Sequence, residues 1–276
     1  MIMDKQENKY DLFNLRGKSA IITGGGSGIG MQAVMAFARA GCRITIADIR
    51  SPEKVCLQIE RKYGVEALPL EMDITIEDNV TKMIKSTLEK FEDIDILVNN
   101  VGGAIISDTL RTTLSDWHRI MDLNVTSMFL CCRAAGRHMI DKKYGKIINI
   151  ASVYGLRGTD PRNYIPEENI SAGNSRESLS FTSSKAAVIN LTRDLAVNWA
   201  RYNITVNSIS PGAFITGTTK KIMDDHCIKK ITERIPMGRW GGEDDLKGSF
   251  IFLASDASKY ITGHDLVVDG GWTAWC

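Results

Sequence analysis

The stretch Ser19-Ala20-Ile21-Ile22-Thr23-Gly24-Gly25-Gly26-Ser27-Gly28-Ile29-Gly30 decides the fold. Ser19–Thr23 reads as a short apolar strand, and a helical pattern follows over Met31–Gly41. Between them lie five glycines in seven residues. A glycine-rich turn that joins a strand to a helix lets backbone N–H groups approach a pyrophosphate at the positive end of the helix. This stretch therefore predicts a dinucleotide-binding turn at the start of a βαβ unit.

The next strand, Arg43–Ala47, ends in Asp48, 18 residues beyond Gly30. A carboxylate at about this spacing accepts from a ribose 2′-hydroxyl and repels a 2′-phosphate. No Lys or Arg lies inside the glycine turn. The expected cofactor is thus NAD(H) rather than NADP, with Arg50 as the residue that argues the other way.

Further along, strand patterns recur at Ala67–Met72, Ile94–Asn99, Lys146–Ala151, Ile204–Ile209 and Asp265–Val268, mostly separated by helical segments. Such alternation predicts an α/β fold: a Rossmann-type, doubly wound, mostly seven-stranded parallel sheet flanked by helices. Ligands of such sheets sit beyond the carboxyl ends of the strands. Gly24, Asp48, Asp73, Asn99, Ser152 and Pro211 fall at those ends. No repeat, low-complexity tract or linker divides residues 1–276, so a single domain is expected. In the helix expected over Phe181–Ala200, a stripe of Ala186, Ala187, Val188, Leu191, Leu195 and Trp199 marks a face for the core or for a subunit contact.

Bulk properties exclude several functions. Lys and Arg total 34 against 33 Asp and Glu, a net charge of +1. No basic stripe with interleaved aromatics points to nucleic acid. No apolar run approaches the ~18 residues of a membrane span. Met1–Asn14 lacks the apolar core of a signal peptide, so a cytoplasmic protein is expected. The six cysteines (Cys42, Cys56, Cys131, Cys132, Cys227, Cys276) form no CxxC pair and read as reduced thiols, Cys131 and Cys132 as packing residues. The four histidines are isolated, so no metal is expected.

From about Leu15 to Trp272 the chain resembles the classical short-chain dehydrogenase/reductase family. The glycine turn matches that family's TGxxxGxG, and Asn99-Asn100-Val101-Gly102 matches its NNAG with Val101 in place of alanine. Asn124 in Leu123-Asn124-Val125 matches the active-site Asn, Ser152 the catalytic Ser, and Lys185 the catalytic Lys. Pro211-Gly212 through Thr216 matches the nicotinamide-side motif, and Ile261-Thr262-Gly263 with Val268-Asp269-Gly270-Gly271 matches the C-terminal signature.

The resemblance implies an oxidoreductase that moves a hydride between nicotinamide and a carbonyl carbon. It places the cofactor on Gly24, Ser27, Gly28, Ile29, Gly30, Asp48, Asp73, Ile74, Asn100, Gly102, Lys185, Pro211, Gly212, Phe214 and Thr216. Asp73 is implied beside the adenine, Asn99 near the adenosine ribose, and Thr216 at the nicotinamide amide. Ser152 would bind the substrate oxygen, Lys185 the nicotinamide ribose, and Asn124 a water leading from Lys185 to solvent. A homodimer or homotetramer is implied, built on the helix after Phe181 and the preceding one, about Ser127–Lys142. A lid over the substrate is implied at about 214–244.

Two departures stand out. Phe181 occupies the place of the family's catalytic Tyr. One helical turn before Lys185, a tyrosine could donate a proton, its phenol pKa lowered from about 10 by the ammonium; a benzene ring has none to give. The chain reads as an otherwise complete enzyme inactivated by a Tyr-to-Phe change. The alternatives are a natural NAD(H)-binding pseudoenzyme or sensor, and proton donation by Tyr154 or Tyr164. Secondly, Ser152 and Phe181 are 29 residues apart, against about a dozen in the family, and long loops beside sites are usually functional. The extra segment, about 154–180, is polar and is expected to wall the substrate pocket.

The expected substrate is a small alcohol or ketone, bordered by Gly103, Ala104, Ile105, Val153, Tyr154, Phe214 and the lid. Arg157, Asp160 and Arg162 could recognise a carboxylate or hydroxyls. The mixture suits a sugar, sugar acid or polyol, and also a hydroxysteroid; the polar insertion favours the former. Cationic surface for an acyl-carrier-protein substrate is not evident.

Overall fold

The computed structural model describes residues 12–165, 178–217, 219 and 223–275. Seven strands form one sheet: β1 Ser19–Thr23, β2 Arg43–Asp48, β3 Ala67–Glu71, β4 Ile96–Asn99, β5 Gly145–Ile150, β6 Ile204–Pro211 and β7 Asp265–Val268. Their order is β3-β2-β1-β4-β5-β6-β7, and every pairing is parallel. This is the doubly wound sheet expected from the sequence. Its order reverses between β1 and β4, which opens the crevice where such sheets bind ligands. β1, β5 and β6 are buried along their whole length, as strands covered on both faces must be. β6 runs on to Pro211, which, having no N–H to donate, takes the last position of its strand.

The helices are α1 Gly28–Arg39, α2 Glu53–Tyr63, α3 Glu77–Phe91, α4 Leu114–Met121, α5 Ser127–Lys142, α6 Leu179–Trp199, α7 Asp225–Arg234 and α8 Lys247–Ala254. One core lies against α1 and α8, where Phe37 and Phe250 meet edge to face at 6.4 Å. A second lies against α3, α5 and α6. A third, smaller cluster packs Val153 and Tyr164 against Cys227 and Ile231 of α7 and against Trp240 and Trp272. It fastens Val153 and Tyr164 to α7 and to the C-terminal turn. No described helix is long and apolar enough to cross a membrane.

The buried face of α6 differs from the expected stripe. Ser184, Lys185, Val188, Ile189, Thr192 and Ala196 face inward, while Leu191, Leu195 and Trp199 are half-buried and Ala186 is exposed. Half of the inward face is polar, so a hydrophobic count does not find it. Cys42, Cys56, Cys131, Cys132 and Cys227 are free and buried. Burial pushes the thiol pKa of Cys132 up to about 12, against ordinary reactivity.

Candidate active site

The glycine turn forms as expected. Gly24 and Gly28 adopt the left-handed region, at φ of +64° and +57°, where only glycine is unstrained. α1 begins at Gly28, inside the turn, so its first N–H groups face the crevice. Asn100 braces the turn: its side-chain amide donates to Thr23 O (3.1 Å) and Gly24 O (3.0 Å), and its backbone N–H to Thr23 Oγ1 (3.0 Å). A Cβ on Gly26 would lie 2.9 Å from Asp48 Oδ2, so the carboxylate is pressed against the bare backbone. Asp48 is 7% exposed and accepts from Gly26 N–H (3.0 Å) and Arg50 N–H (3.1 Å). The Arg50 guanidinium reaches back to Ser27 Oγ (3.4 Å). These features fit a dinucleotide: a cradle without side chains, free N–H groups at a helix start, and a fixed carboxylate at the strand end.

Asp73 and Ile74 follow β3. Asp73 Oδ1 accepts from the backbone and hydroxyl of Thr75, and Ile74 is buried. Pro211 and Gly212 end β6; a Cβ on Gly212 would fall 2.7 Å from Asp269 Cα, so two chain segments cross there with no room for a side chain. Thr216 comes within 3.8 Å of a Cβ built on Gly28, bringing the segment after β6 to the glycine turn. Thr216 is held by Thr219, whose hydroxyl accepts from Thr216 N–H at 2.7 Å.

Two sequence expectations need correction. Asn99 does not face an adenosine ribose. It lies opposite Asn149 in the β4–β5 pair and donates to Asn149 Oδ1 (2.9 Å) and Cys132 Sγ (3.1 Å), and Asn149 in turn donates to Thr192 Oγ1 (2.9 Å). Successive strand residues point to opposite faces, so Asn100 alone reaches the turn. Phe214 offers no ring to a substrate: it is buried in the core and closely packed on Gly241.

Asn124 and Lys185 come together at Gly102. A Cβ there would sit 3.0 Å from Asn124 Oδ1 and 3.3 Å from Lys185 Nζ. Asn124 lies in a π-helical turn, Asp122–Thr126, between α4 and α5, and such turns recur at functional sites. Its amide donates to Gly103 O (2.9 Å) and Ser184 Oγ (2.8 Å), and its Oδ1 accepts from Gly103 N–H (2.8 Å). The sequence reading passed over Ser184, which ties Asn124 to α6 and donates to Phe181 O (2.7 Å). A serine within a helix carries no signal that marks it for this.

Lys185 is fully buried and donates to Ile150 O (2.7 Å). Burial lowers its pKa to about 8. The Phe181 ring centroid lies 5.7 Å from Lys185 Nζ. Ser152 is buried at the end of β5, where its Oγ accepts from Tyr154 N–H (3.2 Å) and caps the 3-10 turn Val153–Gly155. A Cβ on Gly155 would meet the Lys185 carbonyl, so this turn is packed directly on α6.

Of the insertion, residues 166–177 lie outside those described. Its first part curls through a second 3-10 turn, Pro161–Asn163. The Tyr154 hydroxyl hydrogen-bonds that of Tyr164, and burial first, then Tyr164, raises its pKa well above the usual range. That phenol is a poor proton donor. Tyr154 also meets Trp272 edge to face at 5.6 Å. Of the lid, residues 218 and 220–222 lie outside those described. Among the described residues no His/Cys/Asp/Glu cluster suits a metal.

A family model described as enoyl-(acyl carrier protein) reductase matches residues 24–273. The chain is 38% identical over 264 residues to 2-dehydro-3-deoxy-D-gluconate 5-dehydrogenase of Escherichia coli (strain K12), covering 95% of this chain and 98% of the relative. Among solved structures, a short-chain type dehydrogenase/reductase from Mycobacterium marinum superposes with a TM-score of 0.86 at 37% identity, covering 95% of this chain and 98% of that one. A putative 2-deoxy-D-gluconate 3-dehydrogenase from Agrobacterium tumefaciens, with bound NADP, gives a TM-score of 0.83 at 33% identity over 96% and 99% of the two chains.

Proposed function

The chain belongs to the short-chain dehydrogenase/reductase family, and we propose that its site interconverts a secondary alcohol and a ketone on a sugar acid or polyol with NAD(H), at a rate limited by Phe181. The observation that carries this reading is the junction at Gly102, where Lys185 and Asn124 close on the loop that braces the glycine turn. A dinucleotide on that turn would extend toward Lys185. The sugar-acid class is supported by the relatives: the Escherichia coli and Agrobacterium tumefaciens proteins carry gluconate-type names.

NAD(H) would occupy the glycine turn and supply the hydride. Because Ser152 Oγ accepts from Tyr154 N–H, its own O–H is left to donate to the substrate oxygen. Lys185 spends one proton on Ile150 O and keeps its others for the ribose side of the site. Phe181 gives no proton, and loss of a positioned acid/base costs about 10² to 10⁴ in rate. The fixed Asp48 carboxylate favours NAD(H); Arg50 is the one group near it that offsets a 2′-phosphate.

Restoring the phenol tests the whole reading. Phe181→Tyr should raise turnover of a gluconate-type substrate by about 10² or more, with NADH binding unchanged and tighter than NADPH in fluorescence titrations. Equal activity of the two proteins would show that another group supplies the proton. NADH binding without turnover by either would favour a cofactor-binding pseudoenzyme. We also propose a homodimer or homotetramer through α5 and α6, which leave Phe129 and Val197 exposed, the latter at 80%.

A further inference from the structure

A cavity of about 340 Å³ opens between the start of the insertion, the lid helix α7 and the C-terminal turn. Tyr154, Arg157, Asp160, Asn163, Arg234 and Trp272 are among the residues that line it. A second cavity of about 280 Å³ shares Asn163 and Arg234 with the first and adds Arg162, His226, Lys230 and Glu233.

The hydrogen-bonding groups here are unevenly satisfied. Asp160 is taken twice: Arg162 binds both its oxygens (3.0 and 2.8 Å), and Arg234 lies 2.6 Å from Oδ2. The Arg162 hydrogen bond, with Arg234 beside it, holds that carboxyl down at about 2. Arg157 is different. Its guanidinium donates to Thr273 O, and no described carboxylate pairs with it. Asn163 is 2% exposed and lines both cavities. His226 Nε2 is buried without a partner. A buried polar atom without a partner is costly unless something that enters the cavity satisfies it. Guanidinium and amide donors favour an acceptor-only, planar anion, which arginine grips at two points.

We propose that this cavity is a carboxylate subsite holding the acid end of the substrate, with Arg157 as the specificity-determining cation and Asn163 as its neutral donor. It rests on the sugar-acid reading above. The cavity lining begins at Val153, next to Ser152, whose Oγ takes the Tyr154 N–H, which sets an acid end in the cavity beside a reacting oxygen at Ser152. The edge-to-face pair of Tyr154 and Trp272 supplies the apolar wall for the carbon chain between them.

Calorimetric titration of the NADH-loaded protein with gluconate and with sorbitol, its neutral counterpart of the same chain length, tests the subsite. Gluconate should bind at least about tenfold tighter than sorbitol. Arg157→Gln should remove that preference, as loss of a charge-assisted hydrogen bond does, and leave sorbitol and NADH binding unchanged. Asn163→Leu should weaken gluconate to a smaller degree. A gluconate-to-sorbitol ratio that survives Arg157→Gln overturns the proposal. If acetate and inorganic phosphate bind in an Arg157-dependent manner and gluconate gains nothing over them, the anion subsite stands and the sugar-acid reading falls. If no anion binds the unaltered protein more tightly than Arg157→Gln, the subsite falls, and turnover by Phe181→Tyr still decides the reading on its own.

Discussion

Phe181 and Lys185 sit one turn apart on α6, with the ring centroid 5.7 Å from the ammonium. Lys185 ionises near 8 because burial disfavours its ammonium, against 10.5 for an unburied lysine. The unfolded chain therefore binds more protons than the folded one between those values. Stability of the cofactor-free protein should rise with pH across that window, and below about 8 the full penalty applies. Lys185→Met should stabilise the cofactor-free protein at pH 7 by about 2 kcal/mol, the burial penalty less the lost bond to Ile150. Urea unfolding at pH 7 and at pH 10.5 checks this; the difference should shrink at the higher pH. A constant difference would mean that Lys185 is not the titrating group.

At the scale of elements, the site depends on how α5 and α6 pack. A Cβ on Gly136 of α5 would lie 2.5 Å from the Trp199 ring at the end of α6. Gly136→Ala should therefore destabilise by about 1–3 kcal/mol through overpacking, read as a lower urea midpoint with an unchanged slope. The strand and helix pattern was legible because each element is long enough to show its period. β1, β2 and β7 fall within a residue of the expected bounds, and α5 matches its expected span. The π-helical turn under Asn124 was not legible, since one extra residue in a continuous helix leaves the hydrophobic period nearly intact. The inward face of α6 was missed for another reason: Ser184, Lys185 and Thr192 are polar, and only their partners Asn124, Ile150 and Asn149 across the core explain their burial.

Across the whole molecule, the strand ends opposite the site carry a cluster of charges. Asp93 accepts from Lys142 (2.5 Å) and pairs with His138 (2.8 Å), while Asp95 accepts from Ser19 N–H (3.0 Å) and Lys142 (2.9 Å). Against the opposing effect of burial, the His138 and Lys142 hydrogen bonds depress the Asp93 pKa to about 2. A depressed carboxyl stabilises the fold above its unfolded value of 3.8, and that contribution is lost as pH falls toward 2. Since Asp93 is more than a third exposed, solvent screening limits the effect to about 1 kcal/mol. Asp93→Asn should lower stability by that amount at pH 6, and the gap should close near pH 2. For assembly, Val197→Arg should give a smaller species in sedimentation if α6 is a subunit contact; an unchanged sedimentation coefficient would remove that face from consideration.

The sequence by itself determined the parallel sheet, the glycine turn, and Asp48 at its strand end. Each of these is a local pattern: a period of apolar residues, a turn that only glycine can make, or a residue at a fixed distance along the chain. Tertiary structure alone decided which of two adjacent asparagines reaches the turn, why Phe214 is core, and how Ser184 secures Asn124. It also decided how the insertion residues are partnered. Arg162 and Asp160 satisfy each other, whereas Arg157 and Asn163 face a cavity formed with α7 and the C-terminal turn. Asn100, Ser184 and Arg157 find their partners more than fifty residues away, and a side chain's hydrogen bonds and burial are set by what folding brings to it.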